Sequence, residues 1–165
     1  MKTSITILCR IGGLLVAITS MTGAAAECKN INTELVGKIA PCAESPVGLC
    51  APATAASGIL KGEKQFVFQG LAPGAGLAPL QPATVISYLG PVTYHTHQGE
   101  LHLSAIGVLD QQRLVFSEVQ RVVGGTGRFT GATGNLFVSG DSPGPEPTGA
   151  VPFESWISGE ICFSK

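Results

Sequence analysis

All three histidines of this chain fall within one short stretch, Tyr94-His95-Thr96-His97-Gln98-Gly99-Glu100-Leu101-His102. On an extended backbone His95 and His97 project to one face, and Glu100 and His102 share a face after a turn at Gln98-Gly99. A hairpin folded there would gather three imidazoles and a carboxylate, a donor set that suits zinc or copper. Leu101 and Leu103 argue the other way. If they face a core, Glu100 and His102 face water, and the cluster is the polar rim of a hairpin. The second reading is the one favoured, so no cofactor is expected at His95, His97, Glu100 or His102.

The same segment comes close to the metal-binding pattern of cupins through Gly90, His95, His97, Glu100 and Gly107, but misses its spacing by one residue at two places. A cupin also needs a later histidine, and none follows His102. Other candidates for chemistry are isolated. Glu118 lies opposite the face shared by Val115, Val119 and Val123, so it is either solvent-exposed or, with Phe116, set in a cavity wall. Tyr94 is the other polar group to look for inside the fold. Ser139 lacks the strand-turn-helix setting of a nucleophile elbow, and no later histidine could serve it as base. No catalytic motif is complete.

The most distinctive run is Val122–Gly134, VVGGTGRFTGATG, leading into Asn135-Leu136-Phe137-Val138. Its glycines do not match a dinucleotide fingerprint, nothing after them reads as a helix, and there is no Gly-Lys-[Ser/Thr] for a phosphate loop. Gly124, Gly125, Gly127, Gly131 and Gly134 read instead as positive-φ positions in a tight strand-to-strand connection. Arg128 and Phe129 would then lie over one end of the fold.

The elements that position these residues are strands. No window after residue 27 keeps a helical apolar period for three turns, whereas alternation recurs. Ile31, Thr33, Leu35 and Ile39 share one face, as do Phe66 with Phe68, and Phe153, Ile157, Ile161 and Phe163 near the end. Glycine and proline mark long loops at 71–82 and 140–150. The pattern predicts eight strands at roughly 31–40, 47–55, 57–70, 83–96, 100–109, 112–123, 133–140 and 151–163. Eight sequential strands predict a closed antiparallel barrel, since closure removes exposed edges. A two-sheet β-sandwich is the alternative.

The N-terminus has the grammar of a secretory signal: Lys2 and Arg10, a short apolar run Ile11–Ile18, then Ala24-Ala25-Ala26. The run is too short for a spanning helix of ~20 apolar residues. The reading is therefore a signal peptide over 1–26, cleavage between Ala26 and Glu27, and one domain over 27–165, secreted or periplasmic. Lys2 and Arg10 leave with the signal, so eight basic residues face eleven acidic ones, a net charge near −3. That disfavours nucleic acid as a partner. Cys9 leaves too, and Cys28, Cys42, Cys50 and Cys162 form an even set suited to an oxidising compartment. Four cysteines allow three pairings. In a closed barrel the start of the first strand meets the end of the last, which would pair Cys28 with Cys162 and leave Cys42 with Cys50.

The run Gly124-Gly125-Thr126-Gly127-Arg128-Phe129 after a strand resembles the signature of the allene oxide cyclase-like barrels, a superfamily shared with dirigent proteins. The chain is also similar to a group of small exported bacterial proteins through Ser45-Pro46-Val47-Gly48-Leu49-Cys50, Gly58-Ile59-Leu60-Lys61-Gly62, His95-Thr96 with Gly99-Glu100-Leu101, and Gly159-Glu160-Ile161-Cys162. The resemblance implies an eight-stranded antiparallel barrel with a central cavity, and allows an oligomer. It leads to three expectations. The first is a non-enzymatic barrel that binds a small apolar or aromatic ligand. The second is an isomerase or cyclase of the allene oxide cyclase type, with Glu118 or Tyr94 inside the barrel. The third is a structural or surface-interaction protein with a filled core.

Overall fold

The computed structural model describes residues 27–74 and 84–164, so the signal-peptide reading of 1–26 lies outside the described residues. The chain is all-β apart from two short 3-10 turns. The strands are β1 (Glu27–Pro41), β2 (Leu49–Ala55), β3 (Gly62–Val67), β4 (Gly70–Pro73), β5 (Val85–Thr96), β6 (Gly99–Asp110), β7 (Val115–Gly125), β8 (Thr133–Asp141) and β9 (Val151–Phe163). Each pairs antiparallel with its neighbours in the order β3-β2-β1-β9-β8-β7-β6-β5-β4, and β3 also pairs with β5. Eight strands therefore close into a barrel, and β4 lies outside the ring. No helix among the described residues is long and apolar enough to cross a membrane.

The seam of the barrel is β1 against β9, in unbroken register from Glu27↔Phe163 to Ile39↔Val151. Cys28 stands directly opposite Cys162, with their sulfurs 2.05 Å apart, and Cys42 is within bonding distance of Cys50 at the tip of the β1–β2 hairpin. These pairs suit an oxidising, extracytoplasmic compartment.

Alternation decides which side chains enter the barrel. Leu35, Phe66, Tyr94, Leu101, Leu103, Leu136, Ile157 and Ile161 are fully buried. On β7 the alternation puts Glu118 in the second of its two expected settings, the cavity wall. Val115, Val119 and Val123 face solvent, and the inward positions are Glu118, Gln120 and Val122.

One end of the barrel is closed. After β7 a 3-10 turn, Gly127–Phe129, folds back over the opening and puts Phe129 fully inside. Phe129 meets the ring of Phe163 at 6.1 Å, and the Arg128 guanidinium lies 5.3 Å over Phe163. The turn docks on the β5–β6 hairpin: Arg128 N–H donates to the Gln98 carbonyl at 2.9 Å, and Thr126 N–H to that of Glu100 at 2.8 Å. Gly127 takes φ +56°, and a side chain there would strike the Gln98 carbonyl. Gly125 is needed for close approach rather than for its φ, because a Cβ would sit 2.5 Å from the Glu100 carbonyl oxygen. Gly124 corrects the sequence reading: its φ is not positive and nothing crowds it.

The expected strand at 57–70 is also corrected. Gly58–Leu60 is a 3-10 turn, and the extended chain breaks at Phe68-Gln69. There the backbone changes partners: Phe68 N–H donates to Leu49 of β2, and Gln69 N–H to Leu89 of β5. Beyond the break β4 occupies the first part of the expected 71–82 loop, of which residues 75–83 are not described.

The closure gives three expected outcomes. Mapping of the non-reduced protein yields Cys28–Cys162 and Cys42–Cys50 peptides, and a Cys50–Cys162 peptide contradicts this register. Replacing Cys28 and Cys162 together by Ser lowers stability to chemical denaturation by about 2–5 kcal/mol, and Phe129→Ala lowers it by about 3–5 kcal/mol.

Candidate functional site in the barrel interior

The end opposite the Phe129 plug holds a cavity of about 540 Å³. That is within the range of small-molecule sites, about 300–1,000 Å³. Its wall is largely apolar. Phe66 meets Phe68 and Tyr88 edge-to-face, Phe68 and Tyr88 are tilted against each other, all with centroids 4.5 to 5.8 Å apart, and Phe116 and Phe153 meet at 5.6 Å. The mouth is framed by the ends of β1 and β2 at Pro41 and Leu49, which carry the loop between them, by the β6–β7 turn through Leu114, and by the segment after β8 through Pro145 and Gly149.

Two of these frames are fixed by specific chemistry. Ser45 is buried, and its hydroxyl donates to the Phe68 carbonyl at 2.6 Å. It therefore ties the disulfide-closed loop to the point where β3 gives way to β4. Leu114 is the one non-glycine among the described residues with positive φ, at +57°. Asp110 holds that turn by accepting from the N–H groups of Gln112 and Arg113, and these bonds, Gln112 first, keep its carboxyl below the usual range.

Deep in the cavity sit the two buried charged side chains of the described residues, Lys64 and Glu118, 5% and 6% exposed. The Lys64 Nζ to Glu118 Oε1 distance is 3.7 Å. Gln120, fully buried beside them, donates through Nε2 to Glu118 Oε1 and accepts at its own Oε1 from the Tyr94 hydroxyl at 3.0 Å. Tyr88 reaches the same carboxylate from β5 because of a glycine. In register, Tyr88 pairs with Gly107, and Gly107 with Glu118. The Tyr88 ring lies across Gly107, where any side chain would strike it. Glycine inside a strand here opens the path between a phenol and a carboxylate one strand further on.

Burial, then the negative charge of Glu118 and a hydrogen bond to it, push the Tyr88 phenol far above its ordinary value. Burial and then the same charge do so for Tyr94, opposed by its bond to Gln120. Both phenols are therefore hydrogen-bond donors at any physiological pH. The carboxylate of Glu118 thus receives hydrogen bonds from Gln120 and Tyr88 and faces the Lys64 ammonium.

Of the residues singled out by sequence, Glu118 lies in the cavity wall with Phe116, and Tyr94 lies beneath it in the core. The histidines lie elsewhere, towards the closed end. His95 Nδ1 is 3.0 Å from Glu100 Oε1, and His102 Nε2 is 3.6 Å from Glu100 Oε2, all three side chains being substantially exposed. His97 is drawn apart and pairs with Gln98. The hairpin thus gathers two imidazoles around one carboxylate, not three. Among the described residues these side chains do not bring three ligand atoms within 4.8 Å of one another.

Lys64, Gln120 and Tyr88 were missed by sequence reasoning. The signal was the alternation itself: Lys64 shares a face with Phe66 and Phe68, and Gln120 with Glu118. No protein-family model matches the chain, and no curated protein matches it significantly.

The two tyrosines of the chain provide a direct check. A raised folded-state pKa stabilises the protein fully below the unfolded value near pH ~10. That contribution is lost as pH climbs above it. In alkaline titration, phenolate absorbance is expected to appear only together with loss of structure; free ionisation of either tyrosine in the folded protein contradicts the burial. For the ion pair, Lys64→Met alone is expected to cost about 3–5 kcal/mol, because it strands a buried carboxylate, whereas Lys64→Met with Glu118→Leu costs far less.

Proposed function

We propose that this protein is an exported, non-enzymatic β-barrel that binds one small apolar or aromatic molecule in its interior. The observation that carries the reading is the apolar cavity of about 540 Å³ at one end of an otherwise filled barrel. A barrel of eight strands is just wide enough to be packed by its own side chains or to hold one small ligand, and here the two solutions occupy opposite ends. Export rests on the signal-like first 26 residues together with the two cysteine pairs at bonding distance. Membership of the allene oxide cyclase-like superfamily rests on the GGTGRF run, and the closed eight-stranded barrel is consistent with it.

The buried polar groups support a second reading, an isomerase or cyclase working inside the barrel. Two features weigh for binding. Glu118 is occupied by Lys64 and Gln120 instead of standing free to meet a substrate proton, and the raised phenols of Tyr88 and Tyr94 are poor proton donors to a substrate.

A neutral, environment-sensitive probe such as N-phenyl-1-naphthylamine tests the binding reading. The expected result is saturable fluorescence enhancement with one probe per chain. Leu109→Trp, which places an indole in the cavity wall, is expected to weaken probe binding about tenfold or more while leaving the circular dichroism unchanged. No enhancement with the native protein would rule the reading out.

A further inference from the structure

Resting on that reading, the geometry points to the chemical class of the ligand: a neutral apolar molecule carrying a hydroxyl, which sits between Lys64 and Glu118. Three observations carry this. The first is spacing. Lys64 Nζ and Glu118 Oε1 stand 3.7 Å apart, beyond hydrogen-bond length but close enough for one oxygen to lie within about 2.8 Å of both. A hydroxyl placed there accepts from the ammonium and donates to the carboxylate, so both of its roles are used. A carbonyl or an ether would leave the carboxylate without that donor, and a hydrocarbon would serve neither group.

The second observation is charge. Lys64 and Glu118 are the two buried charged groups of the described residues, and they balance. A carboxylate ligand would bring a second negative charge beside Glu118, and an amine a second positive charge beside Lys64. In a cavity whose wall is mostly apolar, a third uncompensated charge is costly. A neutral ligand adds none.

The third is the surrounding surface. Above the pair, the aromatic edges of Phe66, Phe68 and Tyr88 and the side chains of Phe116 and Phe153 line the space toward the mouth. That wall takes an apolar body and offers its polar contact at the far end. The hydroxyl is thus read by Lys64 and Glu118, and the rest of the molecule by burial.

Competition against the neutral probe separates this inference from the binding reading itself. Decanol, decanoic acid and decylamine share a chain and differ at the head. Near neutral pH, decanol is expected to displace the probe about tenfold more effectively than either charged analogue. In the Lys64→Met, Glu118→Leu double variant, which leaves no stranded charge, the probe is expected to bind and decanol to lose its advantage over decane. Equal or better displacement by the acid or the amine would overturn the ligand class while leaving the cavity as a binding site. A decanol preference that survives in the double variant would overturn the assignment to Lys64 and Glu118. Failure of the probe to bind the native protein would overturn both readings together.

Discussion

The seam between β1 and β9 is the constraint on which the rest of the molecule depends. Thirteen consecutive residue pairs join the two ends of the described chain, and without them β1 and β9 would each present an unpaired edge. The seam also sets the tilt and stagger of every other strand, because a closed sheet admits only mutually consistent registers. The Cys28–Cys162 pair links positions 134 residues apart in sequence at the start of this ladder. A bond closing so long a loop restricts the unfolded chain strongly, so it supports the most non-local contact in the fold.

The inside of the barrel is divided along its axis. Below the middle, Leu101, Leu103, Leu136, Ile157 and Ile161 fill the space, and Phe129 seals the end. Above it the rings of Phe66, Phe68, Tyr88, Phe116 and Phe153 stand against the wall with Ala51 and the half-buried Ile39, Leu49 and Leu109, and a cavity remains between them. Lys64, Glu118, Gln120 and Tyr94 mark the boundary. A buried ion pair of this kind seldom adds net stability compared with an apolar pair of similar volume. Stability alone therefore does not account for such a pair at the floor of a cavity, and the proposed binding of a hydroxyl there would give it a use.

Much of the fold was legible in the sequence because period-two alternation reports strands directly. Apart from the strand expected at 57–70, which is cut to β3, the ring strands lie close to where alternation and turn residues place them, and the meeting of first and last strands puts Cys28 opposite Cys162. The site was less legible, for physical reasons. Alternation says that residues share a face, but not which face is inside. On β7 the pattern left Glu118 either in solvent or in a cavity wall, and the structure turns it inward with Gln120 while the valines face out. The histidines attracted attention by type and spacing, yet spacing along one hairpin cannot tell its inner face from its outer. The contact between Tyr88 and Glu118 spans three strands and passes over Gly107, a relation that exists only once registers are set. Gly107 enters the sequence pattern only through a cupin-like spacing, although a glycine inside a strand is a standing sign of close approach.

The plug at one end has a kinetic consequence. With Phe129 and Phe163 closing the base, a molecule bound inside must arrive and depart through the same mouth, past Leu114 and the loop tethered by Ser45. Because the polar pair lies at the floor, a ligand of the proposed class would arrive head-first, with its tail the last part to be enclosed. Girth is then limited by a rigid ring of strands, whereas length is limited by nothing beyond the rim. A homologous series of such ligands would be sorted by thickness and by head group, and only weakly by chain length.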